Sequence, residues 1–315
     1  MLRLGVCILP DRAWSEAAPL WCRVDELGFA HAWTYDHLTW GGLPDGAWYG
    51  AIPTLTAAAT VTSRVRLGTL VSSANLRHPV PFAQDVMTLD DISGGRFVLG
   101  FGAGSVNADA TVLGAGGVAE DDAGNVVRVG WPNPERAARF RESVEILDLL
   151  LAGAPRGRAR NSYQGKYYRA DDARMEPGCV QRPRVPFALA AGGPRGMRVV
   201  AKHAASWVVT DSQADEEASV EEVYAGLAAQ LKKLDAACEA EGRDPASLDR
   251  LLLTGFSALA PLASAEACAE IAGRCADLGF TDLVVHQPRK SGPFAARMDI
   301  LEEIAPGVHA AKLVG

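Results

Sequence analysis

The chain has 315 residues, 48% of them hydrophobic and 22% charged, the balance of an ordinary globular protein with room for one large barrel or two domains. A formal net charge of -7 excludes a general nucleic-acid or anionic-membrane binder, because neutralising phosphates needs a basic surface, but it leaves room for a small anionic ligand held by a few local groups. No apolar run reaches membrane-spanning length, and MLRLGVCILP lacks the long apolar core and cleavage site of a signal peptide, so a cytoplasmic location is expected.

Leu2 to Leu9 is an apolar first strand. Ser15 is placed to cap a helix whose Leu20, Val24 and Leu27 share a face, and Gly28 ends it. Phe29 to Tyr35 reads as strand two and Ala51 to Thr62 as a helix. Val65 to Val71 is a β-branched strand three that ends in the polar Ser72-Ser73-Ala74-Asn75. Pro79 and Pro81 suit the first turn of a helix with Phe82, Val86 and Leu89 at i, i+4 and i+7, stopped by Gly94-Gly95. Arg96 to Phe101 is strand four, closing on Gly100, Gly102 and Gly104. Ser105 to Asn133 is then far longer than a usual barrel connection, which marks a lid, a binding loop or disorder.

Asn133-Pro134-Glu135 starts a helix with Asn as cap, Phe140, Val144, Leu147 and Leu151 form its apolar face, and Gly153 closes it. Residues 156–184 read as an irregular excursion or small hairpin. Val185 to Ala191 is strand five, followed by Gly192-Gly193-Pro194 and a helix, and Ser206 to Thr210 is strand six. Val220, Tyr224, Leu227, Leu231, Leu234 and Cys238 mark a long amphipathic helix whose Lys232 and Lys233 lie on a solvated face. Leu251 to Ala258 is strand seven, a helix carries Cys268 and Cys275, and Asp282 to His286 is strand eight. Phe294, Met298, Leu301 and Ile304 predict the closing helix.

Eight apolar strands alternating with about eight helices predict an α/β fold. The expectation is one (β/α)8 TIM barrel over residues 1–315, with insertions after strand 4 (105–133) and before strand 5 (156–184). An open doubly wound sheet would carry GxGxxG after strand one, where Leu9-Pro10-Asp11 stands instead. The six cysteines form no CxxC pair and no zinc-ligand spacing, so they read as buried reduced thiols and no metal site is expected.

In such a barrel the active site is built at the C-terminal ends of the strands. Asp36-His37, Ser72 to His78, Gly102 to Asn107 and Gly192-Gly193 fall there after four consecutive strands. Asp36-His37 is either a turn with a satisfied histidine or a catalytic couple. Asn75, Arg77 and His78 are placed to meet groups of a bound molecule, with Asp36 and Asp90 as alternative partners for Arg77, while Trp33 and Trp40 suit core or pocket wall. Gly192-Gly193-Pro194, at a helix start beside Arg195 and Arg198, is either a simple turn or an anion site made of backbone N–H groups and the helix dipole.

The strings LGT, RHP, TLDDISGGR and LGFGAG, together with AAGGP at Ala190 to Pro194, resemble the luciferase-like monooxygenase superfamily over nearly the whole chain, and more narrowly its branch using the deazaflavin coenzyme F420. That resemblance implies an F420-dependent oxidoreductase that transfers a hydride to or from a carbonyl, imine or activated alkene. His37 is implied as proton donor or substrate orienter. Asp36, Leu70, Val71, Ser72, Gly102, Gly104 and Asn107 are implied contacts of the coenzyme, with a non-proline cis peptide at Leu70-Val71. Ala190, Ala191, Gly192, Gly193 and Pro194 are its implied phosphate cradle. Residues 105–133 and 156–184, with Trp131, Tyr163 and Tyr167, would line the substrate pocket. Related sugar-phosphate dehydrogenases carry a glutamate where this chain has Ser105, so their substrate does not transfer. The alternatives are a monooxygenase using reduced FMN from a separate flavin reductase, and a flavin-binding protein without turnover. A homodimer is implied, with a small-molecule substrate and neither nucleic acid nor membrane as partner.

Overall fold

The computed structural model describes residues 2–105, 109–114, 116–121, 123–152, 160–213 and 218–305. Eight short apolar strands, β1 (Arg3–Cys7), β2 (His31–Thr34), β3 (Arg66–Thr69), β4 (Phe97–Gly102), β5 (Phe187–Ala190), β6 (Ser206–Thr210), β7 (Asp249–Leu253) and β8 (Asp282–His286), pair in parallel in chain order. β8 returns to β1 with Cys7 opposite His286, so the sheet closes into a barrel without a free edge.

Around it run α1 (Trp14–Glu26), α2 (Ala51–Val61), α3 (Pro79–Ile92), α4 (Asn133–Leu151), α5 (Pro194–His203), α6 (Val220–Ala240), α7 (Ala265–Leu278) and α8 (Ile300–Ile304). Alternation along each strand splits the core into two layers. Cys7, Trp33, Leu70, Val98, Ala188, Val208 and Val284 fill the barrel interior, which places Trp33 in the core. Trp21, Leu55, Phe82, Phe97, Phe140 and Trp207 pack between sheet and helices. Where β3 and β4 approach most closely, a Cβ on Gly100 would lie 1.7 Å from the Thr69 carbonyl oxygen, so only glycine fits.

Several boundaries differ from expectation for identifiable reasons. Ser15 does not cap α1: the extended residue before the helix is Ala13, one residue ahead of Trp14, and it makes no side-chain cap. Pro132, not Asn133, takes the extended cap position of α4, and the Asn133 side chain accepts a hydrogen bond from Arg136 instead. That helix is capped at Ala152, and Gly153 lies outside the described residues. Strand seven stops at Leu253, because the chain turns at Gly255 and the buried Asp211 takes up the N–H groups of Gly255 and Phe256. The closing helix is only Ile300–Ile304; Phe294 has a left-handed backbone that ends any helical path, and Met298 is exposed.

The two insertions carry structure of their own. After β4 come a helical turn, Asp109–Val112, and an antiparallel hairpin of Val118–Glu120 with Val126–Arg128. Before β5, Asn161–Gln164 pairs with Arg169–Ala173, and the buried Glu142 of α4 holds the turn between them by accepting from the N–H groups of Lys166, Tyr167 and Tyr168. All six cysteines are free thiols, and all but Cys22 are buried. Among the described residues no helix is long and apolar enough to cross a membrane.

The start of β3 is fixed by one buried carboxylate. Asp25, near the end of α1, accepts from the N–H groups of Ser63, Arg64 and Val65 at 3.0, 2.9 and 2.6 Å. Burial pushes this carboxyl up, but the backbone donors outweigh burial and its pKa lies below the ordinary value. Asp25→Ala strands three donors and should cost about 2–3 kcal/mol at pH 7. Because the folded state holds the lower pKa, that contribution is present above the unfolded-state value, near pH 4, and is lost as pH falls through the folded value. Denaturant unfolding of both proteins at pH 7 and pH 3 should therefore show the gap between them narrow on acidification.

Candidate functional site

A cavity of about 1180 Å³ opens at the C-terminal ends of the strands. It is lined by His37, Leu70, Val71, Gly102 and Gly104 and by the whole run Ala190 to Pro194, which the structure therefore brings together. The Leu70–Val71 peptide is cis. Gly104 has φ +74° and packs so tightly that a Cβ would lie 2.4 Å from Asn75 Nδ2, so the loop after β4 passes beneath Asn75 only as glycine. Asn107 lies outside the described residues.

Asp36 and His37 are neighbours in sequence but do not form a couple. Asp36 is buried and turned toward β3, where it accepts a 2.5 Å hydrogen bond from Ser72 Oγ and a two-pronged contact from Arg77, at 3.1 Å from Nε and 2.7 Å from Nη2. The side chains of Asp36 and Ser72 thus satisfy each other and lie outside the cavity lining. Arg77 chooses Asp36, because Asp90 is already occupied by the N–H groups of Val180 and Gln181 and by the Gln181 amide.

His37 faces the cavity and takes its partner from the first insertion. Its Nδ1 lies 2.6 Å from Oδ2 of Asp109, a buried carboxylate that also accepts from the Leu38 N–H at 2.6 Å. The Trp48 indole donates to the His37 carbonyl at 2.9 Å, holding the backbone as Asp109 holds the ring. The carboxylate fixes Nδ1 as the protonated nitrogen and leaves Nε2 as the one able to exchange a proton with a bound molecule.

The β4–β5 end of the cavity brings together a helix N-terminus and three arginines. Gly193 is the extended residue before α5, no side chain caps that helix, and Pro194 has no N–H, so the N–H groups of Arg195 and Gly196 point outward without an intrahelical partner. Trp207 Nε1 donates to the Ala191 carbonyl at 2.8 Å and steadies this turn. Arg195 and Arg198 line the same wall, and neither has an acidic partner among the described residues. Arg136 of α4 reaches in beside them, donating to the Gly104 carbonyl and Asn133, while its buried Nε has no partner.

The opposite end, at β2, β7 and β8, is aromatic. Tyr35, Trp40, Leu253 and Phe256 line it. Behind them His286 stacks on Phe294 at 3.4 Å between centroids, and Phe294 in turn stacks on Trp40 at 5.7 Å. Burial pulls His286 down to about 3, a backbone contact with Thr254 offsetting only part of this, so at neutral pH it is an uncharged acceptor for the Tyr35 hydroxyl, 2.7 Å from its Nε2.

Trp131, Tyr163 and Tyr167 are not part of the lining. Trp131 and Tyr167 instead sandwich the Arg139 guanidinium at 3.8 and 4.3 Å, and Tyr163 donates to Glu145, because the second hairpin packs on the outer face of α4. His78 caps α3 by accepting from the Val80 N–H rather than facing the cavity. The residues that sequence reasoning missed are Asp109, Phe256, His286 and Phe294. Asp109 sits inside a polar insertion with no pattern around it, whereas His286 ends a strand already identified and could have been marked by position alone. Among the described residues no group of three or more His, Cys, Asp or Glu side chains is arranged to hold a metal ion.

Comparison with known proteins bears on the family and the fold. A 5,10-methylenetetrahydromethanopterin reductase of Methanopyrus kandleri is 28% identical over 73% of this chain and 62% of its own length. An F420-dependent glucose-6-phosphate dehydrogenase of Beutenbergia cavernae is 34% identical over 61% of this chain and 51% of its own, so the chain spans less than two thirds of either relative. The solved structure of a monooxygenase from Streptomyces bottropensis shares the fold, with a TM-score of 0.71 at 19% identity over 99% of both chains. A family model described as luciferase-like monooxygenase matches residues 2–301. With a closed parallel barrel, a single large mouth and that match over nearly its full length, the chain belongs to the luciferase-like monooxygenase family.

Proposed function

We propose that this protein is an oxidoreductase that uses coenzyme F420 for two-electron hydride transfer to or from a small carbonyl, imine or activated alkene. The observation that carries the reading is the juxtaposition, in one cavity, of an anion cradle at α5 and a carboxylate-held histidine at β2. Curated relatives that act with F420 by name support it. Work as a cytoplasmic homodimer belongs to the same proposal.

The residues present fit the group. N–H groups at the start of α5 without intrahelical partners, Arg195 and Arg198, which have no acidic partner among the described residues, and the orphaned Arg136 Nε together match a phosphodiester. Leu70, Val71 and Gly102 offer an apolar, side-chain-poor floor where a flat ring system can rest. Bound there, the deazaflavin supplies or accepts the hydride, since its ring has carbon in place of the reactive flavin nitrogen. His37 does the remaining proton work. In the reducing direction one substrate carbon gains the hydride, its partner atom (the oxygen, the nitrogen or, in an activated alkene, the neighbouring carbon) gains the proton from His37 Nε2, and Asp109 stabilises the imidazolium that must exist just before that transfer. Asp109 also fixes the ring orientation, and with it the first insertion becomes part of the catalytic arrangement.

A flavin-dependent reading rests on one observation: the same cradle accommodates the phosphate of FMN, and the fold is shared with a monooxygenase. Titration with F420 and, separately, FMN, followed by fluorescence quenching, decides between them. The proposal expects tight F420 binding and weak FMN binding; preference for FMN together with oxygen uptake fed by a flavin reductase overturns it.

Two variants test the assigned roles. Replacing both Arg195 and Arg198 by alanine should weaken coenzyme binding about 10- to 100-fold, the loss expected for charge-assisted hydrogen bonds, while leaving the far-ultraviolet circular dichroism unchanged. His37→Ala should lower kcat by about 10²- to 10⁴-fold with the coenzyme Kd within a few-fold of wild type. Asp109→Asn should lower kcat less than His37→Ala, because the ring keeps its place but loses the carboxylate that fixes its orientation.

A further inference from the structure

We propose that the substrate of this enzyme is an uncharged molecule with a flat apolar or aromatic body, bound between Tyr35, Trp40 and Phe256 at the β2–β7–β8 end of the cavity. The inference rests on the coenzyme reading above, which assigns the β4–β5 end to the coenzyme and so leaves this end for the substrate.

Position in the barrel makes the division possible. β8 and β1 lie between β7 and β2, and β4 and β5 lie across the barrel from them, so the two ends of the mouth face each other. All three arginines that line the cavity, Arg136, Arg195 and Arg198, stand on α4 and α5 at the β4–β5 end. The other end holds Tyr35, Trp40, Leu253 and Phe256, and no aspartate or glutamate lines the cavity among the described residues. On the loops after β1 and β8, Arg289 and Arg12 both pair with the buried side chain of Asp11, and neither they nor Lys290 line the cavity.

Such a wall recognises shape and apolar area. Its rings are held by edge and stacking contacts: Tyr35 meets Trp40 at 5.5 Å and 76°, and Phe256 meets Phe294 at 5.7 Å and 87°. The Tyr35 hydroxyl is spent on His286, and the Thr210 and Ser212 hydroxyls bond to each other, so His37 supplies the ring nitrogen able to exchange a proton at this end. A substrate anion set against this wall would lose its hydration without a counter-charge. A cation would gain some attraction from the ring faces, but it would meet the imidazolium that the reducing direction requires. One neutral, polarisable group turned toward His37, on an otherwise apolar body, meets both constraints. Phe256 is then a specificity-determining residue, because it is the wall residue whose side chain can be exchanged without touching the Asp109–His37 contact.

Matched probes test this. Acetophenone, 4-acetylbenzoate and 4-acetyl-N,N,N-trimethylanilinium differ essentially in charge, and their binding can be measured by tryptophan fluorescence and equilibrium dialysis, with and without F420. Acetophenone should bind at least tenfold more tightly than either ion. Phe256→Lys should bring 4-acetylbenzoate to parity or better, and Phe256→Leu, which keeps the wall apolar, should retain the wild-type order and report on folding. Equal affinities, preference for either ion, absence of binding by all three, or an unchanged order in a folded Phe256→Lys protein each overturn the proposal. Titration of F420 and FMN in the same samples keeps the coenzyme reading separate: loss of F420 preference there sinks that reading and leaves the charge selectivity of the wall measured on its own.

Discussion

A parallel sheet with no free edge is the constraint on which the rest depends. Once β8 pairs with β1, every strand ends on the same rim, and residues from distant parts of the chain, such as His37 and Gly193, must share one mouth. The barrel interior below is filled by Trp33, Leu70, Val98 and Val284, so the mouth has a solid floor and its chemistry belongs to the rim. The strands need only be apolar and short. Their loops are free to carry everything else.

That division explains what the chain reveals in advance. Strands six and eight can be read to the residue, because a short apolar run buried on both faces has few alternatives. Ends governed by one backbone dihedral are harder: Ser15 and Asn133 have the chemistry of caps, yet Ala13 and Pro132 hold the extended geometry. The anion cradle at Gly192–Pro194 is legible because its parts are contiguous in sequence. The aromatic wall is not, since it assembles Tyr35, Phe256, His286 and Phe294 from three separate strand ends, and no local pattern joins them.

Asp36 and His37 show the limit most clearly. Adjacent residues leaving a strand point to opposite sides, so an Asp-His pair in sequence tends to be separated in space. Here Asp36 turns outward to Ser72 and Arg77, bracing the turn after β3, while His37 turns inward and finds its carboxylate 72 residues further along the chain. The motif is therefore two devices. One sets the position of the loop that carries Leu70 and Val71, and the other sets the orientation of the His37 ring at the cavity wall.

The placement of Asp109 has a consequence for how the site is kept together. Its carboxylate is buried and bridges the His37 ring to the Leu38 N–H, so the helical turn Asp109–Val112 is held against the loop after β2 by the contact that orients the histidine. Arg136, in the first turn of α4 just after the insertion, donates to the Gly104 carbonyl just before it. The insertion after β4 is thus held to the loop after β2 through Asp109, while the residues on either side of it, Gly104 and Arg136, are joined to each other. One short segment thus carries both the carboxylate that orients the His37 ring and a backbone contact to the loop after β2.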